Sequence, residues 1–119
     1  MIRSYRDLEI WKRSVELVTG IYSVTKHFPK SETYTLVDQI RRAALSIPSN
    51  IAEGHARQHR KEFRQSLFIA LGSLAELETQ LIIAGELGFL EEDKLNRFLS
   101  EMDSIGKMTR ALVKRLQAK

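Results

Sequence analysis

The side chains best suited to chemistry in this sequence are its clustered arginines and lysines, and the chemistry they suit is phosphate binding. Residues 55 to 64 carry Arg57, Arg60, Lys61 and Arg64 against the single acid Glu62, with His55 and His59 among them. Such a run neutralises backbone phosphates and needs no particular base sequence. A second basic pair, Arg41-Arg42, sits in the segment from Asp38 to Gly54, which also holds Pro48, small residues and the polar Asn50 and Glu53. Two readings compete there. In one, Arg41 or Arg42 pairs with Glu76 or Glu78 of the next helix, and with Asn50 and Glu53 these form a structural polar network that fixes register. In the other, Arg41 and Arg42 join Arg57, His59, Arg60, Lys61 and Arg64 in one nucleic-acid-binding surface. The structural reading is preferred for Arg41 and Arg42, and the phosphate-binding one for Arg57 to Arg64, where no acid balances the charge.

Catalytic chemistry finds no foothold. The six glycines are scattered and make no phosphate-cradling loop. There is no HExxH, and no paired Glu-x-x-His that would build a di-iron bundle. His55 and His59 are four apart, as helical metal ligands often are, but no third ligand is evident, so solvated loop histidines are expected. Glu76 and Glu78 are two apart and diverge on a helix. With no cysteine in the chain, thiol nucleophiles, thiolate-bound zinc and disulfides are excluded. The expectation is a protein that is not an enzyme and has no cofactor, metal or small-molecule substrate.

Four helices must position these groups. The first is predicted from about Leu8 to His27, with Leu8, Trp11, Val15, Val18, Tyr22 and Thr25 inward, and Phe28-Pro29 ends it. The second runs from an N-cap at Ser31 through Leu36, Ile40, Ala44, Ile47 and Ile51 to about Gly54, with a kink expected at Pro48. The third, from about Arg60 to Leu87, has the regular seam Phe63, Leu67, Ala70, Leu74, Leu77, Leu81 and Ala84, closed by Gly88 as a left-handed cap. The acids Glu91, Glu92 and Asp93 open the fourth, whose seam is Leu95, Phe98, Met102, Ile105, Thr109, Leu112 and Leu116. Short connections make neighbours antiparallel, so the fold class is all-α, an antiparallel up-down-up-down four-helix bundle.

The first helix also has a second apolar row, Ile10, Leu17, Ile21, Val24 and Phe28, and the third is apolar around much of its circumference. A bundle helix needs one buried stripe, so the surplus predicts self-association. The chain has 119 residues and a net charge of +4, from 19 Lys and Arg against 15 Asp and Glu. One domain over 1–119 fits that length. The segment Met1 to Asp7 lacks the apolar core of a signal peptide, and the expected location is cytoplasmic. Lys114, Arg115 and Lys119 are read as balancing the dipole of the last helix.

Several segments together resemble one family: Tyr5-Arg6-Asp7-Leu8-Glu9-Ile10-Trp11, Arg41 to Gly54 with its Ser46-Ile47-Pro48-Ser49-Asn50-Ile51-Ala52-Glu53-Gly54, Lys61-Glu62-Phe63, and Gly72-Ser73-Leu74-Ala75-Glu76-Leu77-Glu78. The chain resembles the S23 proteins encoded in intervening sequences of bacterial 23S ribosomal RNA genes. That superfamily includes the accessory variability proteins of diversity-generating retroelements, which bind nucleic acid and a reverse transcriptase. The resemblance implies a four-helix bundle assembled as a homopentamer. Ala56 and His59 depart from the pattern, where relatives tend to have glycine and then serine. A serine at 59 would cap the third helix with Glu62 closing a capping box, which His59 does less well. The expected function is a non-enzymatic homo-oligomer that binds RNA or other nucleic acid through a repeated basic surface. The alternative is a protein-protein adaptor ring that docks a partner enzyme. A membrane partner is not expected, because the amphipathic stripes are committed to the core.

Overall fold

The computed structural model describes residues 4–118. Four helices follow in order: α1 (Glu9–Thr25), α2 (Asp38–Ala56), α3 (Arg60–Glu86) and α4 (Glu92–Gln117). Each packs on the next and α4 returns to α1, giving the antiparallel bundle, 47 × 23 × 20 Å in extent. A single apolar core runs along it. Ile21, Ile40, Ala44, Ile47, Ile51, Leu67, Ala70, Leu77, Leu81, Ala84 and Ile105 are fully enclosed. The seam read for α3 is buried at every position.

In α1 the inward row differs from the expected one. Ile10, Ser14, Leu17, Val18, Ile21 and Thr25 are buried, while Trp11 and Val15 are half-buried and Tyr22 is 36% exposed. The two apolar rows are neighbours on one broad face, and the bundle axis lies nearer the second. Much of the α1 surplus is therefore consumed within one chain. Ser14 hides on this face because its hydroxyl donates to the Ile10 carbonyl at 2.6 Å. A hydroxyl satisfied by its own helix is buried at little cost.

The α1–α2 connection also departs from expectation. Ser31 caps nothing: it lies inside a short 3-10 turn, Lys30–Glu32, which passes into a π turn, Thr33–Val37, before α2 begins. The α-helical start moves to Asp38, whose carboxylate suits the positive end of α2. From there α2 continues as one helix through the buried Pro48 to Ala56. The end of α3 follows the sequence reading. Gly88 sits at φ +80°, with Gly88 N–H bonding the Gly85 carbonyl at 3.1 Å and Phe89 N–H the Ala84 carbonyl at 2.9 Å. That pair of bonds is a Schellman closure, which needs a residue free to turn left-handed.

Across the first and last helices, Arg13 grips Glu101 with both prongs of its guanidinium, Nε and Nη2, each at 3.0 Å. Hydrogen bonding to Glu101 raises the Arg13 pKa further above its usual value, against a smaller desolvation effect. The outer side of α3 is different. An 18-residue window of this helix has a mean hydropathy of 1.6, long and apolar enough to cross a membrane, yet only 44% of it is buried in the bundle. The remainder surfaces as Phe68, Ile69, Ile82 and Ile83, with Leu45 of α2 and Leu87 just beyond the helix.

Candidate nucleic-acid interface

The tight α2–α3 corner creates the basic surface. Arg57 ends α2, Gln58 turns left-handed at φ +60°, and His59 is extended and accepts the Phe63 N–H at 2.9 Å. No side chain caps α3, in line with the weak capping expected of His59. Arg57, His59, Arg60 and Lys61 are exposed on this corner and Arg64 is half-buried one turn on. His55 is fixed edge-on against the buried ring of Phe63, 5.4 Å between centroids.

The charges are not all free. Arg57 pairs with Glu53 at 3.2 Å, so the expectation that no acid balances this run fails at Arg57. Both partners are solvent-exposed neighbours on one helix face, and such a pair is worth only a few tenths of a kcal/mol. Lys61 and Arg64 make no ion pair with a described residue. Arg60 donates from Nη1 to the carbonyl of Leu116 at 3.2 Å, tying the start of α3 to the end of α4.

Arg41 and Arg42 lie elsewhere and do other work. The helical rise puts Arg42 about 22 Å from Arg57 along α2. Neither arginine meets Glu76 or Glu78. Arg41 lies 4.3 Å over the Tyr22 ring, donates from Nε to Thr25 Oγ1 at 2.9 Å, and reaches the Tyr22 carbonyl at 3.4 Å. It thereby neutralises the carbonyl end of α1, the place where a cation is favoured. Arg42 pairs with Asp38 at 2.9 Å on its own helix. The expected pairing failed because Arg41 is on the face of α2 turned to the last turn of α1, and Arg42 is held by Asp38 of its own helix. Arg41→Met should cost about 1–2 kcal/mol of stability through the lost cation–π and hydrogen bonds. It should leave nucleic-acid affinity within twofold, which thermal unfolding and a binding titration together would check.

The polar network is also rearranged. Asn50 donates to the Ser46 carbonyl at 2.8 Å and to Ser46 Oγ at 2.9 Å, and Ser46 meets Ser73 across the α2–α3 seam at 2.7 Å. Glu53 belongs to Arg57, Glu76 accepts from Gln80 at 3.4 Å, and Glu78 is exposed. The sequence reading missed the serines. Ser66, Ser73 and Gln80 are buried and spaced by seven, a period that marks one helix face. Gln80 Oε1 is buried with no hydrogen-bond partner among the described residues. Beside the corner, Asn50, Glu53, Arg57, Glu62, Gln65, Ser66, Phe68 and Ile69 line an open groove of about 590 Å³. No group of three or more potential metal ligands occurs among the described residues.

Comparison with known proteins places this geometry in context. A family model described as 23S rRNA-intervening sequence protein matches residues 6–111. Among solved structures, the chain is similar to a crystal structure of a protein with unknown function from the S23 ribosomal protein family of Bacteroides thetaiotaomicron VPI-5482. The two share 24% identity with a TM-score of 0.82 over 88% of this chain and 98% of the other. That likeness speaks to the fold. No curated protein matches the chain.

Proposed function

We infer the function from the premise that the chain belongs to the 23S rRNA-intervening sequence protein family: it is a non-enzymatic, cytoplasmic homo-oligomer that binds RNA or other nucleic acid through a repeated basic surface. The observation that carries this reading is the α2–α3 corner, where Arg60, Lys61 and Arg64 stand together without a carboxylate partner. Unneutralised cations in a cluster repel one another and attract a polyanion. A helix corner of this kind reads backbone charge rather than base edges, so binding is electrostatic and weakly sequence-specific.

The exposed apolar side of α3 supports self-association, since Phe68, Ile69, Ile82 and Ile83 stand beside the buried seam of the same helix and would be covered by a second copy. A pentamer is the assembly implied by the S23 resemblance. In a closed ring the corner recurs around the axis, and weak contacts combine by multivalency. The test is charge reversal of Arg57, Arg60, Lys61 and Arg64 to glutamate in a protein of unchanged oligomeric mass. Affinity for a 23S ribosomal RNA fragment should fall by more than a hundredfold. Retained affinity would reject the surface.

One observation favours a second reading. The groove beside the corner pairs polar Asn50, Gln65 and Glu62 with the apolar Phe68 and Ile69, a mixture suited to a protein partner. In that case the ring is an adaptor for a partner enzyme, as the superfamily link to retroelement accessory proteins would imply. Its function would survive reversal of Arg60, Lys61 and Arg64, which lie outside the groove, and fail when Asn50 and Gln65 are changed in a protein of unchanged oligomeric mass.

A further inference from the structure

The sequence separates two basic stretches, residues 55 to 64 and residues 107 to 119; Lys119 lies outside the described residues, and the fold brings the rest together. The bond from Arg60 to the Leu116 carbonyl, 3.2 Å, seats the first turn of α3 on the last turns of α4. Farther along the same seam, Arg110 lines a groove with Leu71, Leu74 and Ala75 of α3. Its guanidinium lies over Gly106, Nη1 3.3 Å from where a Cβ would stand. Between these two anchor points Arg64 stands one turn from Arg60 on α3, and Lys114 one turn from Arg110 on α4.

These side chains lack counter-ions. Arg64, Lys61, Arg110, Lys114 and Arg115 form no ion pair with a described carboxylate. The acids of the groove, Glu78 and Asp103, lie beyond Arg110 on the side away from the corner, and Asp103 is held by Lys107 at 3.2 Å. Compensation of the α4 dipole explains only part of this charge. That effect fades within the last turn, and Arg110 stands about two turns before the end of α4.

We propose that the end of the α3–α4 seam is a phosphate-binding track in which Arg110 and Lys114 of α4 act with Arg60 and Arg64 of α3 on the backbone of one nucleic acid. The track is about 16 Å long by helical rise, from Arg60 to the level of Leu71. A duplex carries one phosphate charge per about 1.7 Å of axis, so several phosphates pass along that length. The inference rests on the nucleic-acid reading of the corner and extends it to a helix whose charges that reading does not use.

The test uses the full-length oligomer, a 20-base-pair RNA duplex as probe and a salt series. The double variant Arg110→Gln, Lys114→Gln is compared with wild type, with Arg60→Gln, Arg64→Gln, and with Lys94→Gln, Arg97→Gln at the opposite end. The α4 variant should lose roughly one unit of log–log salt slope per removed contact, and on the order of tenfold affinity per contact at 0.1 M salt. The opposite-end variant should bind as wild type. Unchanged slope and affinity in the α4 variant, beside a loss in the α3 variant, would overturn this inference and leave the corner reading standing. Equal losses in the α4 and opposite-end variants would also overturn it, because net charge alone would then explain binding. Wild type failing to bind at low salt would remove both. Should the double variant lose helicity or oligomeric mass, the single exposed change Arg110→Gln decides the matter by the same slope.

Discussion

Gly54→Ala should destabilise the bundle by up to about 2 kcal/mol although alanine is the better helix former. A Cβ on Gly54 would stand 2.4 Å from Ser66 Cβ and 2.7 Å from its Oγ. Ser66 is itself buried on a helix, so neither atom has a flexible stem on which to retreat. Helix propensity returns about 1 kcal/mol, and overpacking of a rigid seam costs about 1–3 kcal/mol, so crowding wins. Gly72 supplies the internal comparison. Nothing lies within 4 Å of a Cβ there, and Gly72→Ala should stabilise by roughly 0.5–1 kcal/mol. Urea unfolding of the two variants gives both signs in one experiment. If Gly54→Ala were as stabilising as Gly72→Ala, α2 and α3 would not approach as closely as described.

The larger effect is expected on assembly. If the proposed ring forms, wild type should sediment as a multiple of 13.7 kDa, and Phe68→Glu, Ile69→Glu and Ile83→Glu together should leave a folded monomer of that mass. These side chains are 50%, 54% and 44% exposed in the single chain, so changing them removes little from its own core. Between copies, each would bury apolar area worth about 1–2 kcal/mol, and a carboxylate without a partner in that interface costs several more. The association constant should fall by at least a thousandfold. Circular dichroism separates dissociation from unfolding, because the monomer keeps its helical signal. A wild-type mass of one chain would end the argument for a ring.

How far the sequence could be read follows from which interactions are local. The α3 seam repeats its apolar residues in steps of three and four without a polar interruption, and the whole seam is buried as read. Gly88 and the acids before α4 were legible for the same reason: a cap depends on residues a few positions away. The inward row of α1 was not, since two adjacent rows were both apolar and Ser14 disguised one of them. Ser31 failed as a cap because the chain reaches α2 through a π turn, whose geometry depends on packing. Arg41 shows the limit for the site. Its partners, Tyr22 and Thr25, belong to another helix, and only the crossing of α1 and α2 brings them together. The α4 charges were assigned to the dipole because nothing in a linear reading placed Leu116 beside Arg60.

The central claim is that a repeated, unneutralised basic surface binds nucleic acid by charge. The most direct measurement is the affinity of the wild-type oligomer for ribosomal RNA fragments and for DNA of unrelated sequence across a salt series. The account predicts a straight, steep fall of log affinity with log salt, nearly the same slope for both ligands, and affinity lost on the order of a thousandfold between 50 and 200 mM. Binding that ignored salt, or no binding to either ligand at low salt, would contradict it.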